Sequence, residues 1–306
     1  MTRMIFSMAL AMQRRQPLFL GAWAILAFAA VTAACSGGAD NAPVVGRLGV
    51  SLSRPRVALG SPVEVTYTFT VAPDAPALGA RRVFVHFLDA NEELMWVDDH
   101  EPPTPTTDWK PGQTIEYTRT LFVGRHPYVG AATVVAGLYS PETGERLKLS
   151  NEDRGDRSYA VATFELLPQT ENVFVVFKDG WHPAETVGEG ASQTEWQWTK
   201  KEATLAFRNP SRDVVLYVQA DNPSGSVNAA QQLEVRLGDQ VLGTVPLRRD
   251  GPSVQKVPIT AAQMGSAEMV ELRFIADKTF VPALEPDGSA GDSRELGARV
   301  FHAAVQ

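Results

Sequence analysis

The chain has 306 residues, 28 Lys and Arg against 35 Asp and Glu, a formal net charge of -7 and 44% hydrophobic residues. This acidic balance excludes the basic stripe that nucleic-acid binding needs. The single cysteine, Cys35, excludes a disulfide within the chain and any Cys-based metal cluster.

The first element is N-terminal. Arg14 and Arg15 precede an apolar run from Pro17 to Ala34, which ends at Cys35-Ser36-Gly37-Gly38. A charged start, an apolar middle and small residues at the cut make a bacterial secretion signal. The cysteine at the cut looks like that of a bacterial lipoprotein, whose thiol takes a diacylglyceryl group and whose new N-terminus is acylated. Ala33 and Ala34 fit that pattern; Thr32 stands where Leu or Val is usual. This reading assigns 1–34 to a cleaved signal peptide, Cys35 to lipidation and 35–46 to a flexible Gly/Ala/Asp/Asn/Pro tether. The alternative is an uncleaved membrane helix over 17–34, just long enough to span a bilayer. Both place the rest of the chain outside the cytoplasm, held to a bacterial membrane and facing the periplasm or the cell exterior. Loss of Arg3, Arg14 and Arg15 takes the net charge to about -10, which leaves acyl chains rather than charge to hold the protein to lipid.

Strand signals dominate the rest of the chain. Val63, Val65, Tyr67, Phe69 and Val71 alternate with Glu64, Thr66, Thr68 and Thr70, one buried face against one wet face. Ile115, Tyr117, Leu121 and Val123 repeat the pattern, with Arg119 as the exception. Shorter β-runs lie at 48–52, 83–88, 133–139 and 159–166, separated by turn signals at 58–62, 110–112 and 140–144. About seven short strands at this spacing predict an immunoglobulin-like β-sandwich over 47–167. A boundary falls at Leu167-Pro168-Gln169-Thr170. Further runs at 174–177, 203–207, 214–218, 233–237, 241–247, 270–275 and 298–305 predict a second β-sandwich over 168–306, jelly-roll or carbohydrate-binding-like. Gly238-Asp239-Gln240 reads as a hairpin turn, and Thr260 to Gly265 as a single capped helical turn. The fold class is all-β, two consecutive sandwiches after a cleaved signal.

The common catalytic signatures are absent from the sequence: no Gly-x-Ser-x-Gly, no His-Glu-x-x-His, no P-loop, no dinucleotide fingerprint. No catalytic residue, metal site or cofactor is assigned. Three polar clusters remain. In the first, His100 with Asp98, Asp99 and Glu101 has the groups for a cation or an acid/base pair. The prolines at 102, 103, 105 and 111 instead favour a rigid, extended loop with solvated or backbone-capping carboxylates. His86, in an alternating strand, reads as a structural histidine. The second cluster is Asp179-Gly180-Trp181-His182 with Glu185, then Trp196-Gln197-Trp198. Flat rings beside carboxylates suit a sugar, whose C–H face packs on the ring while hydroxyls bond the carboxylate. Trp196 and Trp198, at i and i+2, share one strand face, either as a platform or as half of a core. The third is Asp292-Ser293-Arg294-Glu295. Arg294 offers a two-point fork for a carboxylate, and Glu185 is its natural partner if both segments meet at one end of the sandwich. The oxygen-rich loop 151–156 fails the EF-hand pattern at Arg154.

The first block resembles a bacterial extracytoplasmic β-sandwich domain found in lipoproteins and attached to membrane glycosyltransferases. The matching residues are Phe84 to Asp89, Asp99, Pro105-Thr106, Trp109 to Gln113, Gly130 and Gly137 to Arg146. The second block is similar to another such accessory domain, on Gly180-Trp181-His182, Glu185, Trp196-Gln197-Trp198, Asn209-Pro210, Phe280 to Pro282 and Arg294 to Gly297. The resemblance implies the architecture and the company of membrane enzymes that handle sugars; it transfers no site residue. The expected function is a non-catalytic binding module for cell-envelope polysaccharide. Trp181, Trp196 and Trp198 would stack, and Glu185, Asp292 and Arg294 would give directional hydrogen bonds. The alternatives are an assembly protein docking envelope partners through strand edges or sheet faces, and a hydrolase using Asp99 and Glu185, which would need both carboxylates in one cleft.

Overall fold

The computed structural model describes residues 41–306, apart from 125, 189–192, 225–230 and 285–290. The signal peptide and Cys35 lie outside the described residues. Residues 42–306 form one compact unit containing two separate apolar cores.

The first sandwich is built from the alternating runs. One sheet has the order β1 (Gly46–Leu52), β3 (Pro62–Val71), β6 (Thr114–Phe122). The other has the order β2 (Arg56–Ala58), β8 (Tyr159–Leu167), β7 (Gly130–Tyr139), β4 (Arg82–Leu88), β5 (Leu94–Val97). β1 runs antiparallel to β3, whereas β2 runs parallel to β8. The chain thus changes sheets between its first two strands, as an immunoglobulin-like sandwich does. Tyr67, Phe87, Leu138, Tyr159 and Leu166 fill the core. Gly137 is required there, because a Cβ would lie 2.5 Å from the Phe84 ring, over which Arg146 stacks at 4.4 Å.

β5, which was not among the expected strands, leads into the proline-rich segment. Leu94–Val97 pairs with β4 across a bulge at Phe87/Leu88, and Trp96 stacks on Phe87 at 4.7 Å.

After Pro168 the second sandwich sets two five-stranded antiparallel sheets face to face. One is β15 (Gln240–Leu247), β14 (Gln231–Leu237), β17 (Met269–Ala276), β12 (Glu202–Arg208), β9 (Val175–Phe177). The other is β10 (Glu185–Val187), β11 (Thr194–Trp198), β18 (Arg299–Val305), β13 (Val214–Asp221), β16 (Ser253–Ile259). Leu205, Phe207, Leu216, Leu233, Ile259 and Phe274 lie between them. Gly238 and Asp239 make the β14–β15 turn, with Leu237 paired to Gln240. The helical turn is α1 (Ala261–Met264); Thr260 and Gln263 form a capping box, and Gly265 ends it at φ 64°. β16 was not expected from the sequence. It is a sheet edge, where Pro258 costs no ladder bond.

The two sandwiches touch. The Phe122 ring stacks on His302 at 4.6 Å, the Asn172 amide donates to the Leu59 carbonyl at 2.8 Å, and Lys256 pairs with Glu64.

Candidate functional site

The first cluster is a closed network inside the first sandwich. Arg119, the exception in its strand, points inward with its neighbours and donates two hydrogen bonds to Asp98, at 2.9 and 2.8 Å. The Tyr67 hydroxyl donates to the same carboxylate at 3.3 Å. His100 is buried. Its Nδ1 carries the proton, because it meets the Asp98 carbonyl at 2.7 Å and a carbonyl only accepts. Its Nε2 accepts from the Tyr117 hydroxyl at 2.8 Å. Burial pushes the Asp98 carboxyl up, but the hydrogen bonds from His100 and Arg119 outweigh it and hold it below the usual range. Burial, with the nearby Asp98 charge, pushes both tyrosine hydroxyls up and keeps them protonated. Asp99 accepts from the Val85 amide at 3.0 Å, and burial lowers His86 beside it. Every partner in this network is internal, so the arrangement orders the sandwich. Among the described residues no group of three or more His, Cys, Asp or Glu is placed to hold a metal ion.

The second and third clusters meet on the outer face of the β10–β11–β18–β13–β16 sheet. Gln197 pairs with Val300, which faces the core, so Trp196 and Trp198 face away from it. Neither ring belongs to the second core. Trp198 is 7% exposed, covered edge-on by Phe280 at 5.6 Å. Trp196 is of intermediate exposure. Between them lies a feature the sequence search missed. Arg299, opposite Trp198, donates through Nε and Nη2 to the two oxygens of Asp221, each at 2.7 Å. Asp221 is 0% exposed. The guanidinium carbon lies 5.3 Å from the Trp196 ring, 5.9 Å from Trp198 and 4.9 Å from Phe301. Three aromatic rings therefore surround an ion pair whose carboxylate is buried, and the pair in turn props Trp196. The Trp196 Nε1 is buried and finds no partner among the described residues.

Glu185 sits directly across from Trp196 in the β10–β11 register. Arg294 donates to it at 2.7 Å and grips Asp292 at 2.9 and 2.7 Å. The hydrogen bonds from Arg294 hold the Asp292 carboxyl down at about 2. The expected Glu185–Arg294 pairing thus forms, and it places a polar triad on the side of Trp196 that Glu185 faces.

Trp181 does not join this face. Its ring packs against the second core, edge-on to Phe177 at 4.7 Å and to Phe274 at 5.8 Å, and its Nε1 donates to the Thr204 carbonyl at 2.8 Å. Gly180 before it has φ 84° and abuts the Glu202 backbone, so only glycine lets the chain turn the indole inward there. Asp99 and Glu185 belong to different sandwiches, each already bonded. In the 151–156 loop, Asp153 accepts from the Gly155 and Ser158 amides and Asp156 pairs with Arg146.

No family model matches the chain, and no curated protein does. Three solved structures illustrate its likenesses. An alkylpurine DNA glycosylase from Pseudomonas fluorescens is 14% identical, with a TM-score of 0.24 over 40% of this chain, which spans 30% of the glycosylase. The C-terminal CBM6 domain of a marine laminarinase from Zobellia galactanivorans is 11% identical, with a TM-score of 0.25 over 44% of this chain and 99% of that domain. The xylan-binding CBM22-1 domain from Paenibacillus barcinonensis is 8% identical, with a TM-score of 0.27 over 43% of this chain and 84% of that domain. At these scores none of the three bears on ligand or activity; the architecture rests on the strand order itself.

Proposed function

We propose that this chain is a lipid-anchored, extracytoplasmic module that binds cell-envelope polysaccharide without transforming it. The observation that carries the reading is Trp196: a partly exposed tryptophan on an outer sheet face, propped by the Asp221–Arg299 ion pair and flanked by Glu185, Arg294 and Asp292. The ring suits the C–H face of a pyranose, and the triad supplies fixed acceptors and donors for its hydroxyls. Such a shallow polar surface leaves little surplus after desolvation, so affinities fall at about millimolar to micromolar. The full chain in detergent is expected to be retained on a glycan array by polysaccharide spots; retention by none of them refutes the reading.

The anchor is read from Cys35 and its preceding apolar run. Mass spectrometry of the membrane-extracted chain is expected to find an acylated Cys35 at the N-terminus; a bare thiol in the soluble fraction refutes that part alone. A second reading, docking of an envelope protein, has its own observation. β9 is a sheet edge; Phe174 just before it is 79% exposed and Val176 within it 39%, a template for strand addition. An empty glycan array would favour it.

A further inference from the structure

The two sandwiches meet in a cleft of about 230 Å³, lined by Ser53, Arg54, Pro62 and Glu64 from the first and by Tyr217 and Gln306 from the second. We infer that this cleft is a second sugar station, and that the protein grips a β-linked, gluco-configured polysaccharide at two points, Tyr217 and Trp196. This rests on the glycan-binding reading above and adds to it a second site and a substrate class.

The cleft has the chemistry of a polyol site. It offers a guanidinium, a carboxylate, an amide, a hydroxyl and the Tyr217 phenol ring, both donors and acceptors, beside Pro62 and Val63. Arg54 spends one bond on the Pro62 carbonyl, at 2.6 Å, and Glu64 is already neutralised by Lys256. A phosphate would meet the Glu64 carboxylate beside Arg54, and an acyl chain would meet charged Arg54 and Glu64 in the wall. The volume falls below the roughly 300–1,000 Å³ of clefts that take drug-sized ligands, which suits one ring rather than an oligomer.

The stations share a sheet. Tyr217 pairs with Ala304 on β18, and Phe301, three residues earlier on that strand, lies beside Trp196. Trp196 and Tyr217 flank β18 on opposite sides, so three residues of strand rise and two interstrand spacings set the stations about 14 Å apart. His302 lies between them and carries the Phe122 ring of the first sandwich stacked on it. A single ring cannot reach both stations across this step, whereas a hexasaccharide can. Stacking on flat rings at both ends favours a sugar whose ring faces carry only C–H bonds, the all-equatorial β-gluco configuration of glucose or N-acetylglucosamine. Two weak stations on one polymer raise its affinity through effective concentration, without any new contact.

The test is calorimetric titration of the full chain in detergent with cellobiose, cellohexaose and chitohexaose; the two hexaoses separate the glucose and N-acetylglucosamine sources. At least one hexaose is expected to bind tenfold or more tightly than the disaccharide. Tyr217→Ala, and separately Arg54→Ala from the other wall, are expected to bring that hexaose down to disaccharide affinity and to leave cellobiose binding only at the Trp196 station. A hexaose affinity unaltered in both variants overturns the second station and leaves the Trp196 reading standing. Binding of neither hexaose, with some other glycan retained on the array, overturns the substrate class. An array on which no glycan is retained overturns the underlying reading itself.

Discussion

Replacing Asp221 with alanine is expected to destabilise the second sandwich by about 3–5 kcal/mol, the usual cost of stranding one member of a buried ion pair. The Asp221 side chain is 1% exposed and that of Arg299 22%, so the stranded guanidinium keeps some hydration and the lower end of that range applies. The guanidinium would then sit unpaired among Trp196, Trp198 and Phe301. Trp196 would lose the ion pair that holds it, and sugar retention should fall along with stability. The penalty belongs to the stranded charge, not to the pair. The double variant Asp221→Leu with Arg299→Met should therefore recover stability to within about 1–2 kcal/mol of the parent. Urea denaturation of the three variants checks both statements. A loss below about 1 kcal/mol in Asp221→Ala would show that the pair is not isolated from solvent.

The second large effect lies in the other sandwich. Asp98→Asn should cost about 3 kcal/mol, because Arg119 loses a two-point partner and the Tyr67 hydroxyl its acceptor charge. The lower end of the range applies, since the Arg119 side chain is 36% exposed and keeps some hydration. The effect carries a pH signature. Asp98 is held below its ordinary value in the folded state. Its contribution is therefore complete above the unfolded carboxyl pKa of about 3.9 and is lost as pH falls through the depressed folded value. Hydrogen exchange at β3 and β6 amides should show parent and variant differing by a constant amount from pH 7 to 5 and converging in strong acid. A difference that persists at low pH would mean that the carboxylate charge is not what matters.

How much of this was legible in the sequence depends on range. The alternation from Val63 to Val71 specified β3 and its buried face, because period two reports burial locally. The same alternation marked Arg119 as an anomaly but could not name its cause, since Asp98 arrives from the end of β5, outside that strand. β5 itself was hidden by the acidic and proline-rich residues that come after it. β16 was hidden by Gln255, Lys256 and Pro258, tolerable because the strand is an edge. The spacing of Trp196 and Trp198 fixed a shared face but not which one; the strand register with Val300 decides that they face outward. Glu185 and Arg294 were recognisable as partners by chemistry alone. Asp221 and Arg299 were not. Each looks like an ordinary polar residue at a strand end, and only the pairing of β13 with β18, across 78 residues, makes them a buried unit.

The central claim is that Trp196 is a binding surface rather than a structural ring, and Trp196→Ala on the glycan array tests it most directly. Polysaccharide retention is expected to fall at least about tenfold, roughly 1.4 kcal/mol, with the circular dichroism spectrum and the unfolding midpoint of the second sandwich close to those of the parent. Undiminished retention by a folded Trp196→Ala protein would contradict it.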